Sequence, residues 1–346
     1  MLQRLVSLTG SVWAPTRKRG ALGTTYLDLS SDLVVPTIVN PRKVKRHHLM
    51  RQHVELSTKV LEVGPLARPV APKRAGFNCY YVDHLDRDGL IRHYAHAGYD
   101  PDSIEEVDFI WKDGDLRDAV PLDHHGTFEV IILSHVLEHL PNPLAFLESC
   151  ATLLRPGGYV TLALPDKRFC FDLFRPVTTT SDWLDAYRDG RSLHTDSSLF
   201  DHATLAVARQ AQISWTDVKH ATTDLTFLNM SVDRAYARFF EREEKSQSYE
   251  DCHASVLTPA AFALIMQECQ AIGIAPLTLD YVSSVRGDEF IAHLKLSKRA
   301  PITHHDRLQL LTLSAREQLD GFRHIKAADP SPVREFIKRL KKRAAG

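Results

Sequence analysis

The chain has 346 residues, 44% of them hydrophobic and 25% charged, the profile of an ordinary globular protein long enough to bury a core. Its 43 Lys and Arg balance 43 Asp and Glu, which excludes the global positive charge that would draw it to nucleic acid. The 5 cysteines have no C-x-x-C spacing and read as reduced thiols of a cytoplasmic protein, and no apolar run approaches the roughly 20 residues of a membrane span.

Residues 1–55 read as an N-terminal arm. Arg4, Arg17, Lys18 and Arg19 precede the first acid, Asp28, a pattern that fits either a flexible arm or an organelle-targeting segment. Between residues 56 and 165 short β-branched runs alternate with helical patterns, which predicts βαβ units. Strands are expected at 59–63, 79–82, 107–111, 128–133 and 159–164, apolar without alternation, as in parallel strands covered on both faces. Residues 166–255 carry helical patterns near 181–189, 199–211 and 231–245 without obvious strands, and are expected to form a helical insertion or lid for substrate. The α/β pattern returns over 256–298. Thr258-Pro259 opens a helix, Phe262, Ile265, Met266, Cys269 and Ile272 form its apolar stripe, and Gly273 ends it. Strands at 277–282 and 289–296 follow so closely that they must be antiparallel. Residues 299–346 read as a basic tail. A helix over 332–343 sets Val333, Phe336, Ile337 and Leu340 against six basic residues, suited to peripheral contact with an anionic membrane.

Chemistry is concentrated at the ends of the expected strands. Val60-Leu61-Glu62-Val63-Gly64 places an acid and a glycine after the first strand, where the backbone can turn and approach a nucleoside ligand. Tyr80-Tyr81-Val82-Asp83 closes the second strand with an acid able to accept ribose hydroxyls. Then come Ile131-Ile132-Leu133-Ser134-His135-Val136-Leu137-Glu138-His139-Leu140-Pro141 and Leu153-Leu154-Arg155-Pro156-Gly157-Gly158. In this order, over residues 58–165 and again over 258–297, the chain resembles the class I S-adenosylmethionine-dependent methyltransferases. It is similar to the type 11-like members, and within them to a bacterial subgroup associated with glycans.

The resemblance implies a Rossmann-like fold: α/β, a doubly wound, seven-stranded, mostly parallel sheet, here with a helical insertion. It implies S-adenosyl-L-methionine as cofactor, with Glu62 and Gly64 beside its methionine part and Asp83 on its ribose. Asp113 would lie at the adenine (Asp108 and Asp115 are substitutes), and Ser134 and His135 near the sulfonium. The chain departs from the family's three-glycine loop, having Gly64-Pro65-Leu66-Ala67-Arg68-Pro69 instead.

The insertion opens beyond the fifth strand with Asp166-Lys167-Arg168-Phe169-Cys170-Phe171-Asp172-Leu173-Phe174-Arg175, at the sheet edge where such folds bind ligands. Asp166, Arg168 and Arg175 are candidate substrate-binding residues, and His139, Asp172 and His253 candidate catalytic bases. O-methylation of a sugar or other hydroxylated small molecule follows, with a small-molecule or glycan acceptor and no nucleic acid. Two other readings compete: a non-catalytic scaffold on the same fold, and a zinc hydrolase built on His135-Val136-Leu137-Glu138-His139, which matches H-x-x-E-H. Pro141 and Pro143 would cut the helix that such a zinc site needs, so no metal is expected.

Overall fold

A computed structural model describes residues 38–39, 45–216, 224–244, 248–274, 276–283, 287–298 and 301–322. Most of the arm and the basic segment 332–343 lie outside them. The elements run β1 (Ile38–Val39), α1 (Arg46–Met50), β2 (Val60–Val63), β3 (Cys79–Asp83), α2 (Arg87–His93), β4 (Phe109–Ile110), α3 (Leu116–Ala119), β5 (Phe128–Ser134), α4 (Pro143–Leu153) and β6 (Leu154–Pro165). Between β6 and the returning core lie α5 (Thr180–Arg188), α6 (Asp196–Leu205), β7 (Val207–Arg209), β8 (Leu225–Phe227) and α7 (Val232–Glu244). After them come α8 (Pro259–Ile272), β9 (Leu277–Ser283), β10 (Glu289–Leu296) and α9 (His304–Phe322).

The seven expected strands form one sheet in the order β9-β10-β6-β5-β2-β3-β4, and β1 extends it beyond β9. Within the seven, β10 alone is antiparallel to its neighbours β6 and β9, while β2, β3, β4, β5 and β6 are parallel. Chain order reverses between β2 and β5. That is the switch point at whose carboxyl side doubly wound sheets bind ligands. Side chains alternate across the sheet: Ile291 packs in one core with Val60, Tyr81, Val130, Ile132 and Met50 of α1. Its neighbour Phe290 meets Phe262 of α8, ring centroids 5.9 Å apart.

Local signals explain the helix ends. The Asn142 side chain caps α4 by accepting from the Ala145 N–H (3.2 Å), with Pro143 next. Thr258 and Pro259 do the same for α8, and Gly273 closes it at φ +84°. Gly158 sits early in β6 where a Cβ would stand 3.0 Å from both the Arg155 and Glu129 carbonyl oxygens. Only glycine lets β6 lie that close to β5.

At three places the elements differ from the expectation. Helix α5 belongs to the core: Trp183 is buried, and its Nε1–H donates to Ser255 Oγ (3.0 Å). The segment expected as one helix over 199–211 breaks at Leu205 into an antiparallel ribbon, β7 against β8. The ribbon is held because Val207 N–H donates to Phe171 O and Trp215 N–H to Phe169 O, over a small core of Leu173, Val207 and Trp215. Residues 304–322 are not tail but α9, docked on α8. Its inward positions Leu310, Ser314 and Gly321 are buried, and Glu317 Oε2 accepts from the Ala260 N–H (2.9 Å). Small and polar residues on that face give no apolar stripe to read.

Candidate active site

Gly64 leaves β2 at φ +66°, and its N–H donates to Val82 O (2.9 Å). A Cβ there would stand 3.2 Å from Val136 Cγ2. The ends of β2, β3 and β5 thus come together at a residue where a side chain would crowd Val136 and strain the backbone. Leu66 (φ +42°) and His135 (φ +56°) flank it in left-handed backbone, a conformation costly for non-glycine residues and concentrated at ligand sites. Asp83 is buried at the end of β3. Its Oδ1 accepts from the His84 N–H (2.8 Å) and lies 2.7 Å from His84 Nδ1, while Oδ2 has no partner among the described residues. A close backbone approach beside an available carboxylate oxygen fits a nucleoside cofactor.

Glu62 is placed differently from the expectation that it borders the ligand. Its Oε1 accepts from Val70 N–H (2.6 Å) and its Oε2 from Ala71 N–H (2.9 Å), so the carboxylate shapes the loop after Gly64 from beneath. Burial pushes its pKa up to about 7 against those two bonds. Asp108 accepts from Tyr81 N–H (2.6 Å) and Lys73 Nζ (2.5 Å), and Asp115 pairs with Arg117. Asp113, exposed in the loop beyond β4, has no ion pair among the described residues.

A chain of charges crosses the end of β5. Arg46 of α1 donates from Nε to Glu289 Oε1 (2.6 Å) and from Nη2 to Ser134 Oγ (2.7 Å). Glu289 Oε2 lies 3.0 Å from His135 Nε2, and Glu138 Oε1 lies 3.3 Å from His135 Nδ1. Burial alone would lower the His135 pKa, but Glu138 and Glu289 outweigh it and raise it to about 10. Arg46 and Glu289 carry no local sequence signal; their pairing joins residues 243 positions apart.

Beyond His135 the chain makes one 3-10 turn, Leu137–His139. Glu138 is wholly buried, and its backbone oxygen accepts from the Ala254 (2.7 Å) and Ser255 (3.0 Å) N–H groups, tying the end of the insertion to this turn. His139 Nδ1 lies 2.8 Å from Asp251 Oδ1, and the ring meets that of His253 edge-on at 4.7 Å. His253 Nδ1 lies 2.5 Å from Asp172 Oδ2. Arg175 Nη1 donates to Asp172 Oδ1 and Nη2 to His253 O, both at 2.8 Å. Burial disfavours the His139 cation, but the Asp251 hydrogen bond and the Glu138 charge outweigh it and raise the His139 pKa. The same bond brings Asp251 down to about 2.

Three expected roles change. Asp172 cannot serve as a base: it is buried with both oxygens occupied, and His253 and Arg175 overcome its burial to hold its pKa below the ordinary value. It orients His253 instead. Asp166, wholly buried and gripped bidentately by Arg168, cannot meet a substrate. Arg168 is packed beneath Gly321 of α9. The pair holds the hinge of the insertion. The H-x-x-E-H reading also fails: His135 turns to Glu289, whereas Glu138, His139 and His253 converge, their ligand-capable atoms within 4.8 Å of one another.

Two cavities open beside the segment that follows β6. One of 280 Å³ lies between α6 and α7 and is lined by Phe200, His202, Ala203, Arg238 and Asp251, the partner of His139. The other, of 350 Å³, is lined by Arg175, Trp183 and His194.

The profile of the methyltransferase domain family matches residues 40–218, more than half of the chain. The ubiquinone biosynthesis O-methyltransferase of Ralstonia nicotianae is 40% identical over 90 residues, 25% of this chain and 34% of that protein. The enzyme of the same name from Azotobacter vinelandii is 26% identical over 152 residues, 42% and 60% of the two chains. The chain therefore spans less than two thirds of these relatives. A SAM-dependent methyltransferase structure from Methanosarcina mazei superposes over 72% of this chain and 97% of its own, at 13% identity and a TM-score of 0.35. The chain belongs to the methyltransferase domain family, on the Rossmann-like fold of the class I S-adenosylmethionine-dependent methyltransferases.

Proposed function

We propose that the protein methylates a hydroxyl oxygen of a polar small molecule, a sugar or another hydroxylated compound, with S-adenosylmethionine as donor. The observation that carries this reading is the convergence of Gly64, Asp83 and His135 at the switch point, next to His139 and His253, each held by a carboxylate. The cofactor supplies a methyl group on a sulfonium. Gly64 admits it close to the backbone, Asp83 accepts from its ribose, and Asp113 stands beside the adenine. Ser134, fixed by Arg46, and His135, fixed between two glutamates, line the methionine end. The acceptor occupies the cavity between α6 and α7 that ends at Asp251, and the His139–His253 pair is where its hydroxyl proton is lost. Arg175 keeps His253 in place and borders the second cavity.

Holding donor and acceptor in line supplies several kcal/mol, with about 7–11 as the ceiling, and loss of the hydroxyl proton at a positioned group adds about 10²–10⁴ in rate. The names of the O-methyltransferase relatives support oxygen as the atom modified. No helix among the described residues is long and apolar enough to cross a membrane, and the basic segment 332–343 would give reversible, salt-sensitive contact with anionic lipid. Removing residues 331–346 should then abolish pelleting with such vesicles.

Calorimetry with S-adenosylhomocysteine and methyl transfer from labelled S-adenosylmethionine to a panel of sugars and phenols test the reading. Asp83→Ala should weaken nucleoside binding by the roughly 1.5–3 kcal/mol of a charged hydrogen bond. Unchanged affinity in that variant, or no binding by the intact chain, overturns it.

A further inference from the structure

The Glu138 carboxylate is wholly buried, and neither oxygen makes a hydrogen bond. The His135 ring, which Glu138 and Glu289 hold protonated, answers Oε1 from 3.3 Å, outside hydrogen-bond geometry. Oε2 is left buried with no hydrogen-bond partner among the described residues, a cost that a second cation beside it would offset. His139 and His253 stand beside it, and both have Nδ1 against a carboxylate, Asp251 at 2.8 Å and Asp172 at 2.5 Å. An ionised carboxylate only accepts, so each Nδ1 carries the proton and a neutral ring keeps its lone pair on Nε2. Carboxylate–imidazole pairs of this kind orient histidine ligands and make them more basic.

We infer that Glu138, His139 and His253 form a binding site for a divalent transition-type cation, Zn²⁺ by its donor set, with a position left for the acceptor oxygen. Two imidazoles and one carboxylate suit Zn²⁺ better than Mg²⁺, which favours all-oxygen shells. The ligand-capable atoms lie within 4.8 Å of one another. Around a tetrahedral zinc with bonds of about 2.0–2.1 Å they would close to about 3.3 Å, so binding requires the three side chains to draw together. The site rests on the O-methyltransferase reading for its use. A cation held there would lower the pKa of a ligated acceptor hydroxyl; with the Nε2 lone pairs of both histidines given to the cation, the proton would leave to solvent at that position rather than to a ring. The acceptor class narrows accordingly to compounds whose hydroxyl, alone or with an adjacent oxygen, can enter a metal's coordination shell.

Full-length protein stripped with chelator and titrated with ZnCl₂, in parallel with MgCl₂, tests the site, with Co²⁺ absorption as a spectroscopic report of nitrogen ligation. One Zn²⁺ per chain is expected. Glu138→Gln, His139→Ala and His253→Ala should each lower affinity by at least about 100-fold, and Asp172→Asn or Asp251→Asn by about 10–100-fold. A cooperative thermal unfolding transition in the metal-free state, close to that of the unaltered protein, shows that each variant is folded. Protein that binds S-adenosylhomocysteine but no Zn²⁺, or Zn²⁺ affinity that survives Glu138→Gln and His253→Ala, overturns the metal site and leaves the methyltransferase reading standing. Specific Zn²⁺ binding without nucleoside binding supports the site and overturns that reading.

Discussion

At Gly64 two constraints coincide, a left-handed backbone and a Val136 methyl 3.2 Å from where a Cβ would sit. An alanine there pays roughly 1–2 kcal/mol for the conformation alone and pushes into the space the nucleoside approaches. Gly64→Ala should therefore weaken S-adenosylhomocysteine binding by about tenfold or more, read by calorimetry. Equal affinity would remove Gly64 from the cleft. Glu62 makes a pH prediction. Its folded pKa, about 7, lies above the unfolded value of 4.5. For a group raised on folding, the stabilisation is present below the unfolded pKa and is lost as pH rises through the folded one. Stability should fall between pH 4.5 and 7.5 by an amount on the order of 3 kcal/mol from this group. Glu62→Gln, which cannot titrate, should show a flatter profile in urea unfolding at the two pH values. Parallel profiles would mean that Glu62 does not titrate in this window. Glu62 and Asp83 were legible as acids at strand ends, because an apolar run closed by an acid (Cys79–Val82 before Asp83) and an acid one residue before a glycine (Glu62-Val63-Gly64) are local patterns. Their different uses were not, since the Val70 and Ala71 N–H groups that claim Glu62 depend on the path of the following loop.

Helix α5 was expected in the lid and instead closes the core. Trp183 is buried against Ser255 and Phe262, so Trp183→Ala should cost about 3–5 kcal/mol in denaturant unfolding. A loss below about 1 kcal/mol would return α5 to the lid. Helices α6 and α7, by contrast, enclose the 280 Å³ cavity, and Ala203 of α6 faces it. Ala203→Phe should raise the KM for the acceptor while leaving S-adenosylhomocysteine affinity unchanged; an unchanged KM would place the acceptor elsewhere. The helix start at Thr258-Pro259 could be read directly, because a cap is a contact between residues three positions apart. The break after Leu205 could not. What ends α6 is the pairing of Val207 with Phe171, a contact from outside the segment.

For the molecule as a whole, a ligand that binds only the folded chain must stabilise it by mass action. S-adenosylhomocysteine at 100 times its Kd should add about 2.7 kcal/mol and raise Tm by roughly 4 °C for a chain of this size. Asp83→Ala should lose most of that shift at the same concentration, and a shift retained in full would argue against Asp83 as the ribose acceptor. By itself the sequence determined the alternation of strands and helices, the antiparallel closing pair and the strand ends that carry Gly64, Asp83 and Ser134. Each of these is written in periodicity, capping or a short motif, and so depends on neighbours in the chain. Only the tertiary structure decided that Arg46 reaches Glu289 and Ser134, that Asp172 serves His253 rather than a substrate, and that Glu138 lies buried beside two histidines. Those contacts join residues from 81 to 243 positions apart or depend on which side of a single turn faces the insertion. No local pattern encodes them, because packing of the whole sheet and insertion brings them together.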